Sequence, residues 1–275
     1  MADCCVINQD FIRKAAQSKS ACRLDGRSPS EFRAYRLSIL PENGLVQAQV
    51  GNTIVRSIVT GELVPPSRDR PNEGRLYFSV QEVERSSTNQ SESGRSSGDL
   101  VQVCNHVERV LRGSKAIDTE SLCVLGGKSV WSIRCDTFIE HDDGGLKDVC
   151  SLAALCALMN FRHEAVAYEG NRAVLFPAQT REPVPISIHH LPISTTFALF
   201  ETPENGVCWL MDPSSDEEHA FQSMISVTVN QHGELCGIDK SGGLPICTET
   251  LSECVLAAVT RTQQISRDIR SSFGK

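Results

Sequence analysis

The sequence has no excess of positive charge. Lysine and arginine number 27 against 34 acidic residues, a net charge of −7. A free-standing nucleic-acid binder is normally basic overall. Any grip on a phosphate backbone must therefore come from a local patch, or from a surface completed by other chains. There is also no C-x-x-C among the 12 cysteines, so the paired spacing of a zinc site is missing. The opening "MADCCVINQDFIRKAAQSKSAC" lacks the apolar core of a secretory signal. Thiols without a secretory signal or a framework spacing read as free cysteines in a reducing compartment. Most look like small core residues, as in "CSLAALCAL" (150–158) and "ECVLAAV" (253–259). No metal and no cofactor is expected. No apolar run approaches the roughly 20 residues of a membrane span, so no membrane partner is expected and a soluble, intracellular protein is. Aromatics are sparse, at 5%. The 275 residues suffice for one large domain or two packed subdomains.

What is present alternates between strand and helix patterns. Residues 8–20 read as a short helix. Residues 32–64 alternate apolar and polar side chains, with turn signals at Pro41–Gly44 and Gly51–Asn52, an antiparallel meander. A strand follows at 74–83, then a polar, Ser-rich stretch at 85–99 that reads as a flexible loop ending in Asp99 as a helix N-cap. In the helix over 100–114, Leu100, Val103, Cys104, Val107, Val110 and Leu111 fall on one face, Arg109 and Arg112 lie off it, and Gly113 ends it. A long strand is predicted at 129–141, a buried helix behind "DGG", and further strands at 165–170, 172–178, 182–200, 206–213, 223–230 and 234–239. A long helix closes the chain at about 248–273, with Leu251, Val255, Leu256, Val259 and Ile265 among its apolar positions. This order predicts an α+β fold of mixed sheets with packed helices. Two similar halves are expected: a helix and arginine-rich turn at 1–30, a first subdomain at 31–177, and a second at 187–275.

Four constellations could carry chemistry. "HDDGGLKDVCSLAALCAL" (141–158) sets two glycines before a buried helix. Exposed amides and the dipole at such a start favour an anion. "CRLDGRSPSEFRAYRL" (22–37) gathers cations around an Asp-Gly turn; an ion-paired surface turn of Arg23, Asp25 and Arg27 is favoured over an anion groove or subunit contact. Arg95, Arg109, Arg112 and Lys115 surround one helix and could grip phosphates, although a solvated helix face is the plainer reading. His189 and His190 are adjacent on a predicted strand, face opposite sides, and are expected to be structural. Asp212, Asp216, Glu217 and Glu218 follow a strand end and fit an acid/base or cation site as well as a solvated loop.

Taken together, "RLDGR" (23–27), "GRSSGDL" (94–100), "LRGSKAIDTESLCVLGGKSVWSIRCD" (111–136), "DGG" (143–145), "SIHHLPI" (187–193) and "MDPSSDEE" (211–218) resemble the ribonuclease PH family. Within it the likeness is to eukaryotic RNA exosome ring subunits of the polymyositis/scleroderma autoantigen type, over about residues 9–270. The resemblance implies a ribonuclease PH-like (ribosomal protein S5 domain 2-like) fold. Active members use phosphate to shorten RNA from its 3′ end, with a threonine and an arginine after the "DGG" turn. Here those positions hold Leu146 and Lys147, and Asp148 adds a negative charge. Leucine donates no hydrogen bond, and lysine lacks the planar fork of arginine. Of the family's spaced acids, Asp212 and Glu218 match and Ser214 does not. The resemblance thus implies a degenerate phosphate site in a non-catalytic subunit, with Arg95, Arg109, Arg112 and Lys115 along the RNA path. The implied partners are other ribonuclease PH-like ring subunits, S1/KH caps, a hydrolytic nuclease and single-stranded RNA. The implied locations are nucleus, nucleolus and cytoplasm. The alternative is a phosphorolytic exoribonuclease using Lys147, Asp212 and Glu218, alone or in a site shared with a neighbour.

Overall fold

The structure, a computed structural model, describes residues 2–17, 23–83, 96–169, 172–177, 179–202, 206–221 and 223–273. The meander forms as its alternation requires: β1 (Tyr35–Ile39), β2 (Leu45–Val50) and β3 (Thr53–Val64) pair antiparallel in sequence. Their inward residues Val46, Ala48, Val50, Val55 and Val59 are buried. β4 (Arg75–Glu82) lies at the far edge, and β6 (Ser129–His141) inserts between them, antiparallel to β3 and parallel to β4. β5 (Cys123–Leu125) pairs with the start of β6.

Because β4 and β6 run parallel, the chain must cross between them. It does so through α2 (Ser97–Glu108), which continues into a π-helical turn over Arg109–Gly113. Ser96, not Asp99, caps α2. The Ser96 side chain accepts from the Asp99 amide and the Asp99 carboxylate accepts from the Ser96 amide. This reciprocal pair satisfies two otherwise orphaned donors and moves the start three residues earlier than the sequence suggested.

The helix behind the "DGG" turn, α3 (Leu146–Asn160), has almost no polar face, as predicted. It packs on β2, β3 and β6 of the first sheet and on β11 (Ile193–Thr202) of the second, between the two layers. Small pairs follow it: β7 (Arg162–His163) with β10 (Val184–Pro185), and β8 (Ala165–Glu169) with β9 (Arg172–Phe176). The second sheet has the order β12-β11-β13-β14, with β12 (Gly206–Met211), β13 (Ser223–Val229) and β14 (Leu235–Ser241). A six-residue helix, α4 (Ser215–Ala220), interrupts the β12–β13 connection where the sequence left a loop or site open. α5 (Thr248–Phe273) covers the second sheet. Cys254, Ala258, Ile265 and Ile269 face inward, whereas Leu256 is 67% exposed.

The first helix, α1, spans Ala2–Gln17 and so begins before the expected residue 8, whereas residues 18–20 of the expected helix lie outside the described residues; its Ile12 and Ala16 pack with Phe200, Leu210 and Phe221. His189 and His190 lie just past the isolated bridge of Ile117 with Ile188, outside any strand. Among the described residues no helix is long and apolar enough to cross a membrane.

Candidate site at the start of the buried helix

The turn 142–145 is gripped from three directions. Gly144 and Gly145 both have left-handed backbones, φ 83° and 71°. A Cβ on Gly144 would lie 2.5 Å from the backbone of Ser214 and Ser215, so the glycine admits the segment leading into α4. The Thr53 hydroxyl donates to the Gly144 carbonyl at 2.8 Å and accepts from the Asp143 amide at 3.0 Å. Arg33 donates to the Asp143 carbonyl at 2.7 Å and the Gly144 carbonyl at 3.1 Å.

The anion at this helix start is supplied by the chain itself. The Gly145 amide donates to Glu218 Oε1 at 2.7 Å. A carboxylate there is favoured by the helix dipole, as a phosphate would be. Neither side chain that distinguishes the turn reaches toward this position. Leu146 is buried in the main apolar core. Lys147 extends to β14, where Nζ lies 3.1 Å from Asp239 and 3.4 Å from the Ser241 hydroxyl.

Asp148 corrects the expectation that its charge would oppose a docking anion. It is buried and points into the protein, accepting from the Thr196 amide at 2.6 Å and the Thr196 hydroxyl at 2.9 Å. Burial raises its pKa, against the opposing effects of His106, Ser194 and Thr196.

Asp212 follows directly on β12 with a left-handed backbone, φ 51°. Arg33 holds its carboxylate through Nε at 2.9 Å, Nη2 at 2.8 Å and the backbone amide at 2.9 Å, and Arg27 adds a contact at 3.2 Å. Burial alone would raise the Asp212 pKa; Arg33 and Arg27 more than reverse this and hold it below the usual carboxylate range. Arg23 is not part of a surface turn. It is buried, donates to the carbonyls of Met211 (2.8 Å) and Asp212 (2.9 Å), and forks onto Glu217. Arg27 does pair with Asp25, as read from the sequence. Beneath the site Arg261 of α5 stacks on Phe32, and burial pushes its pKa down to about 9. Glu217 closes a capping box on Ser214, so the acidic run belongs partly to the architecture of α4. Among the described residues no group of three or more His, Cys, Asp or Glu side chains could hold a metal ion.

The cationic residues gather elsewhere. Arg109, Arg112 and Lys115 line one groove of 1690 Å³ together with Arg70, Arg75 and Tyr77. Arg95 lies outside the described residues. The groove is nearly balanced, with five cationic side chains against the carboxylates of Glu73, Glu108, Asp118 and Glu120. Arg112 pairs with Glu108 at 2.7 Å and Arg109 with Asp239 at 2.9 Å. Both arginines stay more than half exposed. Sequence reasoning missed Arg33, His106 and Asp239, and read Glu217 only as one of a possible acid cluster. His106 and Asp239 had no local signal, because their partners are on other elements.

Two family models match this chain. One describes the 3′ exoribonuclease family, domain 1, over residues 31–164; the other describes domain 2 of that family over residues 190–261. The chain belongs to the RNase PH family of 3′ exoribonucleases. Among its relatives, the exosome complex component RRP45 of Danio rerio is 37% identical over 96% of this chain and 65% of its own length. The human RRP45 is 37% identical over 93% of this chain and 57% of its own length. Schizosaccharomyces pombe rrp45 is 32% identical over 91% of this chain and 84% of its own length. The chain thus spans about three fifths of the vertebrate relatives it matches. An Archaeoglobus fulgidus exosome with RNA bound to the active site shares the fold, with a TM-score of 0.79 at 23% identity over 96% of this chain and 98% of that one. An archaeal exosome core shares it with a TM-score of 0.77 at 22% identity, covering both chains fully.

Proposed function

We propose that this chain is a non-catalytic ring subunit of an RNA exosome. It packs beside other RNase PH-like subunits and guides single-stranded RNA toward a separate hydrolytic nuclease. The observation that carries this reading is Glu218 on the Gly145 amide at 2.7 Å. A phosphate-using site needs free donors at the helix start, and here an internal carboxylate sits on one of them. Leu146 in the core and Lys147 on Asp239 supply nothing in their place. Asp212 and Glu218, the acids of the catalytic alternative, are engaged by Arg33 and Gly145.

The nearly balanced groove supports guidance. RNA affinity grows with the number of phosphates neutralised. A groove that pairs its own cations holds RNA weakly enough for the strand to slide. In this reading S1/KH caps cover the ring, Arg109, Arg112 and Lys115 face the strand, and the assembly works in nucleus, nucleolus and cytoplasm on RNA processing and turnover. The N-terminal segment 1–30 and the parts 31–177 and 187–275 would build one ring position together.

Isolation of the native complex through a tag on this chain, followed by native mass spectrometry, tests the role. One copy with five other RNase PH-like chains and S1/KH proteins is expected. A monomer or a homo-oligomer would overturn it.

A further inference from the structure

His106 of α2 is a titratable ring in the interior of the protein. It is buried, and its Nε2 lies 3.0 Å from the Ser194 hydroxyl of β11. Its Nδ1 is also buried, has no hydrogen-bond partner among the described residues, and stands 3.8 Å from Asp239 Oδ2. Two residues along the same face of β11, Thr196 meets the buried carboxyl of Asp148 on α3 with its amide at 2.6 Å and its hydroxyl at 2.9 Å. The Thr196 hydroxyl also lies 2.8 Å from Ser226 of β13. These side chains form one buried polar cluster. It lies where α2 and α3, within residues 31–164 of the first family domain, meet β11 and β13 of the second.

Charge is costly at this depth unless it is balanced. Burial raises the Asp148 pKa, and His106 leads the groups that oppose this, ahead of Ser194 and Thr196. A carboxylate beside an imidazolium and a carboxylic acid beside a neutral imidazole are both neutral overall, and both hold one proton. Burial disfavours the states with two protons or none, because those carry a net charge. Two further elements place charges around the pair. Asp239 of β14 is itself held by Arg109 at 2.9 Å and Lys147 at 3.1 Å. Arg261 of α5 acts on Asp148 through space.

We infer that Asp148 and His106 share one proton as a clasp between the two halves of the fold, and that losing this proton loosens the seam between α2 and β11. Without it Asp148 is a carboxylate left uncompensated in the interior, which is strongly unfavourable. An opened seam lets the histidine titrate near its ordinary value of about 6.5. Between that value and the pH at which the clasp releases its proton, the closed seam binds more protons than the open one. The clasp is therefore at full strength below this window and weakens as pH rises through it. Histidine is the side chain whose charge ordinarily changes near neutrality, which sets the device in that range. Because α2 runs on into the turn that carries Arg109, loosening the seam also frees one wall of the groove.

Hydrogen-exchange mass spectrometry on the assembled complex tests the clasp, at a series of values between about pH 6 and pH 8 with intrinsic rates divided out. Peptides covering α2 and β11 are expected to exchange faster as pH rises, by up to about tenfold per pH unit for one proton, while β2 stays constant. His106→Gln and Asp148→Asn are each expected to flatten that dependence. Thr196→Val removes a hydroxyl and keeps the pair, so it should raise exchange at every pH and preserve the slope. A flat wild-type profile overturns the inference, and so does a slope that survives His106→Gln. A slope abolished by Asp239→Asn and kept by Asp148→Asn also overturns it, in favour of a pair between His106 and Asp239. If Asp148→Asn does not assemble, His106→Gln carries the same expectation.

Discussion

Asp212, an acid of the catalytic alternative, is held by other side chains of the same protein. Its carboxylate is buried and receives Arg33 and Arg27. Removing one member of a buried pair leaves an uncompensated charge, at a cost of about 3–5 kcal/mol. Asp212→Asn is therefore expected to lose about 3 kcal/mol at neutral pH by chemical unfolding. The folded pKa lies below the unfolded value of about 3.9. The contribution is thus present above that value and lost as pH falls through the folded pKa. The gap between wild type and variant should hold at pH 5 and close in stronger acid. A gap independent of pH would mean that packing, not charge, is what the variant loses. That Leu146 and Lys147 stand where the resemblance implies a threonine and an arginine was legible in the sequence. What replaced them was not, because Glu218 and Asp239 meet these positions only through the fold. Asp148 misled for a related reason: sequence places it near the anion site, whereas the rotation of α3 turns it inward.

The two-glycine turn and α3 work as an element. Gly144→Ala would push a Cβ to 2.5 Å from the backbone of Ser214 and Ser215, at φ 83°. A loss of more than about 2 kcal/mol in thermal or chemical unfolding is expected. Gly127→Ala, at φ 74° with open space around it, should lose about 1 kcal/mol. Equal losses would show that backbone strain alone matters. At the same helix start, Leu146→Thr with Lys147→Arg is expected to give no phosphorolysis, since Glu218 still holds the Gly145 amide. Measurable nucleoside diphosphate release from that variant would contradict the closed site. Long periodic elements were legible: β6 falls on residues 129–141 and α5 on 248–273, as predicted. The starts of α2 and α4 were not. Both are capped by a serine with an acid three residues on, Ser96 with Asp99 and Ser214 with Glu217. Those acids looked like an N-cap and a site, and each is instead the reciprocal half of a cap.

At the scale of the whole molecule, net acidity does not exclude the proposed RNA contact, because five cationic side chains share one groove, with carboxylates beside them. Arg109→Glu with Arg112→Glu is expected to weaken RNA protection by the complex while leaving its assembly intact, because both side chains are more than half exposed. Unchanged protection would remove this groove from the RNA path. The proposed role is participation in RNA decay without phosphate chemistry of the chain's own. The most direct measurement is phosphate-dependent release of nucleoside diphosphates from single-stranded RNA by the native complex, with wild-type chain and with Lys147→Ala. The same release, including none, is expected from both. Release that requires phosphate and disappears with Lys147→Ala would contradict it.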